Sequence, residues 1–214
     1  MRILVLGGTQ MLGRDFVERY MGEHSIVLAN RGVTGAGLFT HLEHVRIDRN
    51  INAADKFWEL CPAPPSIGPI GCRLLRSLDP VDAVVDFSAY TVQHLENTMP
   101  FLPGFSKYIF ISTTCVNGLT GAANMADAFE SYCFNKRECE NWLKMTGISH
   151  SILRPCVVAG ENDYTGRFIS RNGKCYWKQT GEEAGIGTVS VSNVSLALMH
   201  LCISENNLIL NLCR

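Results

Sequence analysis

Residues 1–32 read MRILVLGGTQMLGRDFVERYMGEHSIVLANRG. Arg2 to Leu6 is a continuous apolar run, the pattern of a strand buried on both faces. Gly7 to Gly13 is a Gly-rich turn. Asp15 to Met21 carries helical periodicity, and Ser25 to Ala29 is a second apolar run. Together these make a βαβ unit whose first turn opens onto a helix N-terminus. Unpaired backbone N–H groups and the helix dipole both favour an anion at such a turn. The expected ligand is a dinucleotide, held along Gly7, Gly8, Thr9, Gln10, Met11, Leu12 and Gly13. Read as GxxGxxG, the turn has Gln10 at the middle position, where glycine normally lets the backbone approach a pyrophosphate. Gln10 narrows that approach, and its side-chain amide can itself donate to a phosphate oxygen.

Working outward, strands and helices alternate. His44 to Ile47 is a short strand ending at Asp48-Arg49. Ala53 to Leu60 reads as helix, and Cys61 to Gly71 (CPAPPSIGPIG) as a surface loop. Val81 to Phe87 is an apolar strand, and Gln93 to Met99 a helix stopped by Pro100. Tyr108 to Ile111 is another buried strand. Ala126 to Met145 is a long helix closed by Gly147. Ile148 to Leu153 follows, ended by Arg154-Pro155. Glu161 to Gly187 is polar and Gly-rich. Val194 to Cys202 is an amphipathic helix, and Leu208 to Leu212 a last strand. The alternation predicts an α/β fold, a doubly wound parallel sheet with helices on both faces. Residues 1–155 form the dinucleotide-binding core, 156–190 a small substrate or lid segment, and 191–214 the helix and strand that complete the sheet. Ligands in such sheets lie at the carboxyl ends of the strands. The turns after Leu6, Ala29, Ile47, Phe87, Ile111 and Leu153 are therefore expected to line one crevice.

Size and composition narrow the class. The chain has 214 residues, 46% of them hydrophobic, and a net charge of -1. That is enough for one domain with a full core. The near-neutral charge gives no bulk electrostatic reason to bind nucleic acid. No apolar run reaches about 18 residues, so no membrane span is expected. A strand that starts at Arg2 leaves no room for a signal peptide, and the expected location is cytoplasmic. The nine cysteines are scattered with no CxxC pair. They predict reduced thiols, mostly in the core, with neither a zinc site nor a disulfide framework. His24, His41, His44, His94, His150 and His200 show no metal spacing, and His41 and His44 read as parts of a solvated loop. Glu138 and Glu140 read as the polar face of the long helix.

Three further features carry chemistry. An acidic residue at the end of the second strand would bind a ribose 2′-OH and mark NAD. Asn30-Arg31 stands there instead. A guanidinium suits a 2′-phosphate, so the expected cofactor is NADP, with NAD the alternative. In Tyr132-Cys-Phe-Asn-Lys136 the i, i+4 spacing puts Tyr132 and Lys136 on one helix face. A neighbouring ammonium lowers a phenol from its usual pKa of about 10 and prepares it to exchange a proton with a carbonyl or alcohol. Finally, Ile111-Ser112-Thr113-Thr114 follows a buried strand at the same sheet edge, where a hydroxyl can bond the substrate oxygen.

With these pieces in place the chain resembles the short-chain dehydrogenase/reductase superfamily, in its extended or atypical branch of NAD-dependent epimerase/dehydratase-like proteins. The resemblance rests on GGTQMLGR, IVLANRG, IDRN, AVVDFSAYT, YIFISTTCV, YCFNKRECE, ILRPCVVAGENDYTGRF and LILNLC. It implies an NAD(P)-binding Rossmann fold with Thr113 at the catalytic Ser/Thr position and Tyr132 as acid/base. Lys136 would orient the nicotinamide ribose and tune Tyr132. Asp48 and Arg49 would lie near the adenine. Ser88, Ala89 and Tyr90 would line the cofactor, as would Ser112, and Pro155 would pack near the nicotinamide. The chain departs from the pattern at Asn117, where an aromatic residue is usual, and near Ser192-Asn193, where an acidic residue is usual. It is also shorter than extended members, which implies a reduced C-terminal substrate lobe.

The function expected is hydride and proton transfer on a small carbonyl, alcohol or sugar-type substrate. A non-catalytic NAD(P) sensor is one alternative. An RNA-binding relative is another, since chloroplast stem-loop RNA-binding proteins resemble the same subgroup. The partner expected is a small-molecule substrate, with a homodimer left open. Arg167, Arg171, Tyr176, Trp177 and Lys178 read either as a grip on an anionic substrate or as an ordinary charged lid.

Overall fold

A computed structural model describes residues 1–49, 69–118, 127–163, 168–171, 174–178 and 187–213. The core is a seven-stranded sheet. Its strands are β1 (Arg2–Leu6), β2 (Ser25–Asn30), β3 (Glu43–Arg46), β4 (Val81–Asp86), β5 (Phe105–Ile111), β6 (His150–Pro155) and β11 (Ile209–Leu212). They run in the order β11-β6-β5-β4-β1-β2-β3. Every neighbouring pair is parallel. This is the doubly wound order, with the reversal between β1 and β4, where such sheets open a crevice for a ligand. The helices are α1 (Met11–Tyr20), α2 (Pro69–Leu74), α3 (Val92–Thr98), α4 (Ala128–Thr146) and α5 (Val191–Ile203). Short strands β7 (Val157–Ala159) and β10 (Thr188–Ser190) pair in parallel, and β8 (Phe168–Arg171) and β9 (Lys174–Trp177) form an antiparallel hairpin.

Alternation along each strand divides the core into two layers. Ile3 and Val5 face Phe16 and Val17 of α1 and Val194, Leu198 and Leu201 of α5. Leu4 and Leu6 face the other way, toward Leu95 of α3 and Cys139 and Leu143 of α4. Two helix ends are closed by the expected chemistry. The Asp127 carboxylate accepts from the N–H groups of Phe129 and Glu130, and Gly147 ends α4 in the left-handed region at φ 69°. Among the described residues no helix is long and apolar enough to cross a membrane.

Several sequence expectations need correction. Helix α1 starts at Met11, so the second half of the glycine turn is already helical. Pro69 to Gly71 open α2 rather than end a loop; the helix expected at 53–60 and the loop at 61–68 lie outside the described residues. Pro100 sits inside a 3₁₀ turn, Met99–Phe101, that extends α3. Arg154 and Pro155 belong to β6. His44 lies in β3, as the strand expected from His44 has it, and not in a solvated loop. Cys115 and Cys133 are joined in a disulfide, although neither lies in a close-spaced motif. Their pairing is made by the packing of the turn after β5 on α4, which sequence spacing does not show. Cys72, Cys139 and Cys202 are buried free thiols, as expected, while Cys156 is half-buried and Cys213 exposed.

Candidate active site

A cavity of about 300 Å³ opens at the carboxyl ends of β1, β2, β3 and β4. All seven turn residues, Gly7 to Gly13, line it, as do Asn30, Arg31, Asp48, Arg49, Ser88 and Tyr90. The turn is built for close approach. Gly7 and Gly8 lie at φ 101° and 102°, which side chains rarely adopt. A Cβ on Gly13 would come within 2.6 Å of the Gly8 Cα and 2.7 Å of its nitrogen. Only hydrogen fits there, and it lets α1 begin directly against the strand. The Gln10 side chain makes no capping bond to α1, and no acidic residue stands in the first turn. The N-terminal amides of this helix therefore face the cavity without a carboxylate to compete with an incoming anion.

The far wall is polar and partly unsatisfied. Asn30 Oδ1 accepts from the Gly32 N–H at 2.7 Å and contacts His44 Nε2 at 2.9 Å, while its Nδ2 is buried with no partner. Arg31 is exposed at the rim. Burial, then the nearby Arg46 guanidinium, holds the His44 imidazole below its ordinary pKa.

Beneath this wall lies a buried ion pair. Arg49 Nη1 donates to both Asp86 carboxylate oxygens at 2.8 Å, and its Nε donates to Thr98 Oγ1 at 3.0 Å. Asp86 also accepts from the backbone N–H groups of Ser88 and Ala89 and from the Tyr108 hydroxyl. Burial alone would raise the Asp86 pKa. Arg49 and these hydrogen bonds outweigh it and hold the carboxyl below its ordinary range. Burial, then Asp86, pushes the Tyr108 phenol well above its ordinary range. Arg49 lines the cavity, while its Nη2 is buried without a hydrogen-bond partner. Sequence reasoning missed Asp86 and Tyr108. The available signal was a single carboxylate closing the apolar run of β4.

Lys136 lies at the other end of the site. It is 2% exposed. Its Nζ donates to the carbonyls of Ala89 and Ile111, each at 2.7 Å, and so bridges the ends of β4 and β5. It also sits 4.8 Å from the Tyr90 ring centroid and 6.0 Å from that of Tyr132. Burial, partly offset by Asp86, lowers its pKa to about 8. The Tyr90 and Tyr132 rings are 6.1 Å apart. Tyr90 thus touches both the cavity and the Tyr132–Lys136 pair.

Thr113, Tyr132, Lys136, Ala89, Ser112 and Pro155 do not line the cavity itself. The Thr113 Oγ1 accepts from the Cys115 N–H at 3.3 Å. Ser112 is 2% exposed and gives its hydroxyl proton to Glu140 Oε1 at 2.6 Å, so its side chain points into the protein. Pro155 is buried. Glu140 is not on a polar face: it is 1% exposed and accepts from Arg154 Nε at 2.9 Å. Arg154 also donates to Asn117 Oδ1 at 3.0 Å, which gives the unusual Asn117 a partner. Sequence reasoning missed Gly32, Val33, Thr34, Phe87 and His94 as cavity residues. Of the lid cluster, Arg171, Tyr176 and Trp177 belong to the β8–β9 hairpin and Lys178 is exposed; Arg167 lies outside the described residues. Among the described residues no His, Cys, Asp and Glu group could hold a metal ion.

Comparison with solved structures agrees with this fold. Vestitone reductase from alfalfa superposes with a TM-score of 0.68 at 13% identity, covering 99% of this chain and 76% of that one. A UDP-glucose 4-epimerase from Thermotoga maritima gives 0.65 at 17%, covering 100% and 77%. The anaerobillin reductase ChuY from Escherichia coli gives 0.62 at 17%, covering 99% and 96%. The fold is the one these epimerases and reductases share. No protein-family model and no curated protein sequence matches the chain.

Proposed function

We propose that the protein is an NAD(P)-dependent oxidoreductase or epimerase-like enzyme that prefers NADP and acts on a small carbonyl, alcohol or sugar-type substrate. The observation that carries this reading is Tyr90, which joins the glycine-turn cavity to the Tyr132–Lys136 pair. A dinucleotide fits the donors present. The Gly7–Gly13 turn and the α1 amides suit a pyrophosphate, Asn30 Nδ2 and Arg49 Nη2 lack partners, and Arg31 suits a 2′-phosphate. Bound there, a nicotinamide supplies or accepts a hydride.

The protein's own residues do the rest. Tyr132 gives or takes the proton at the substrate oxygen. Thr113 holds that oxygen through its hydroxyl. Lys136, fixed by the Ala89 and Ile111 carbonyls, makes the phenol easier to ionise and would orient a bound ribose. Within 156–190, the described strand β7 and the β8–β9 hairpin would belong to the substrate side. Resemblance to ChuY, which this chain nearly matches in extent, supports a reductase that works without a large substrate lobe.

The test is hydride transfer against a panel of aldehydes, ketones and sugar nucleotides, comparing wild type with Tyr132→Phe. The substitution removes one hydroxyl, so fold and cofactor affinity should persist while turnover falls ~10²–10⁴-fold. Wild-type turnover in Tyr132→Phe would overturn the assignment. Tight NADPH binding with no turnover on any substrate would favour a non-catalytic sensor instead.

A further inference from the structure

Cys115 lies two residues after Thr113, in the 3₁₀ turn Thr114–Gly118 that follows β5. Cys133 directly follows Tyr132 on α4. Their disulfide spans a Cα–Cα distance of 5.6 Å and a sequence separation of 18 residues. The anchored Cys115 also donates its N–H to Thr113 Oγ1. One covalent bond therefore ties the segment that orients the Thr113 hydroxyl to the helix that carries Tyr132. Access is asymmetric: Cys133 is 2% exposed, whereas Cys115 is half-buried. Burial pushes the free thiols of Cys139 and Cys202 up to about 12, which leaves them poor competitors in thiol exchange.

We propose that Cys115 and Cys133 form a thiol–disulfide exchange site, reduced by a dithiol, that couples the position of the Thr113 turn to that of Tyr132. A dithiol thiolate attacks Cys115 Sγ, the S–S bond breaks, and Cys133 leaves as a thiolate that takes up a proton. The second thiolate of the dithiol attacks the mixed disulfide and releases Cys115. Two electrons pass to the protein, and the dithiol departs as its own disulfide. Only the catalytic consequence rests on the Thr113–Tyr132 reading; the exchange and its effect on the turn do not.

The experiment equilibrates the purified protein with dithiothreitol in reduced and oxidised forms at several ratios. Acid quenching and alkylation then report the thiol state of Cys115 and Cys133 by peptide mass spectrometry. Hydrogen exchange of the peptide covering 112–118 is measured in parallel. The two cysteines should convert together, and amide exchange in 112–118 should rise at least about threefold on reduction while β1 is unchanged. Cys115→Ser should exchange at the reduced rate under every condition. NADPH affinity should stay within about twofold between the two states. Two thiols at every ratio, or equal exchange in both forms, would overturn the proposal. Failure of NADPH to bind, with the coupled conversion and faster exchange intact, would count against the cofactor reading alone.

Discussion

Arg49 and Asp86 depend on each other because neither has access to bulk water. Asp86 is 0% exposed and Arg49 6%. Such a pair sets geometry more than it adds stability, but breaking it leaves one charge stranded. Asp86→Asn should therefore destabilise the protein by about 3–5 kcal/mol, read from the urea midpoint. The double variant Arg49→Met/Asp86→Leu should recover only part of the loss, because it still strands the Tyr108 hydroxyl and the Ser88 and Ala89 N–H groups. Lys136 gives a pH signature. Its folded pKa of about 8 lies below the ordinary 10.5. Between those values the unfolded chain binds a proton that the native state has released, so this group makes stability rise with pH there. Below about pH 8 the cost of keeping it charged is fully present. The stability difference between wild type and Lys136→Met should therefore shift toward wild type from pH 8 to 10.5, by on the order of 1–3 kcal/mol in unfolding titrations. At the cavity rim, Arg31→Ala should weaken NADPH binding by about 1.5–3 kcal/mol and NADH binding less. Equal losses in calorimetry would mean that Arg31 does not read the 2′-phosphate.

The phosphate turn shows what an element adds to its residues. Gly13→Val would drive side-chain atoms into the Gly8 backbone, already 2.6 Å from a bare Cβ. The variant should stay folded, since the strands keep their pairing, but lose NADPH binding by roughly tenfold or more, about 1.4 kcal/mol, in a fluorescence titration. This turn was legible because its glycines sit between an apolar run and a helical repeat, all local in sequence. The i, i+4 pairing of Tyr132 with Lys136 was legible for the same reason. Three features were not. Glu140 looked like surface because its neighbours on α4 are charged, yet its partners Ser112 and Arg154 come from the ends of two strands. Asp86 drew no notice because Arg49 and Tyr108 meet it across β4's neighbourhood only after the sheet forms. The Cys115–Cys133 bond depends on how α4 docks. Each is a tertiary pairing between distant segments, invisible to periodicity.

At the scale of the molecule, the β11-β6-β5-β4-β1-β2-β3 order puts the turns after Leu6, Ala29, Ile47 and Phe87 around one cavity. The turns after Ile111 and Leu153 do not line it, and Lys136 and Tyr90 connect the Ile111 end to it. The proposed hydride and proton transfer depends on a nicotinamide dinucleotide occupying that cavity. The direct measurement is isothermal titration of the purified protein with NADPH and, separately, NADH. The account predicts saturable binding of one dinucleotide per chain, tighter for NADPH. No detectable heat or competition with either cofactor, in a protein whose circular dichroism shows the folded α/β structure, would contradict it.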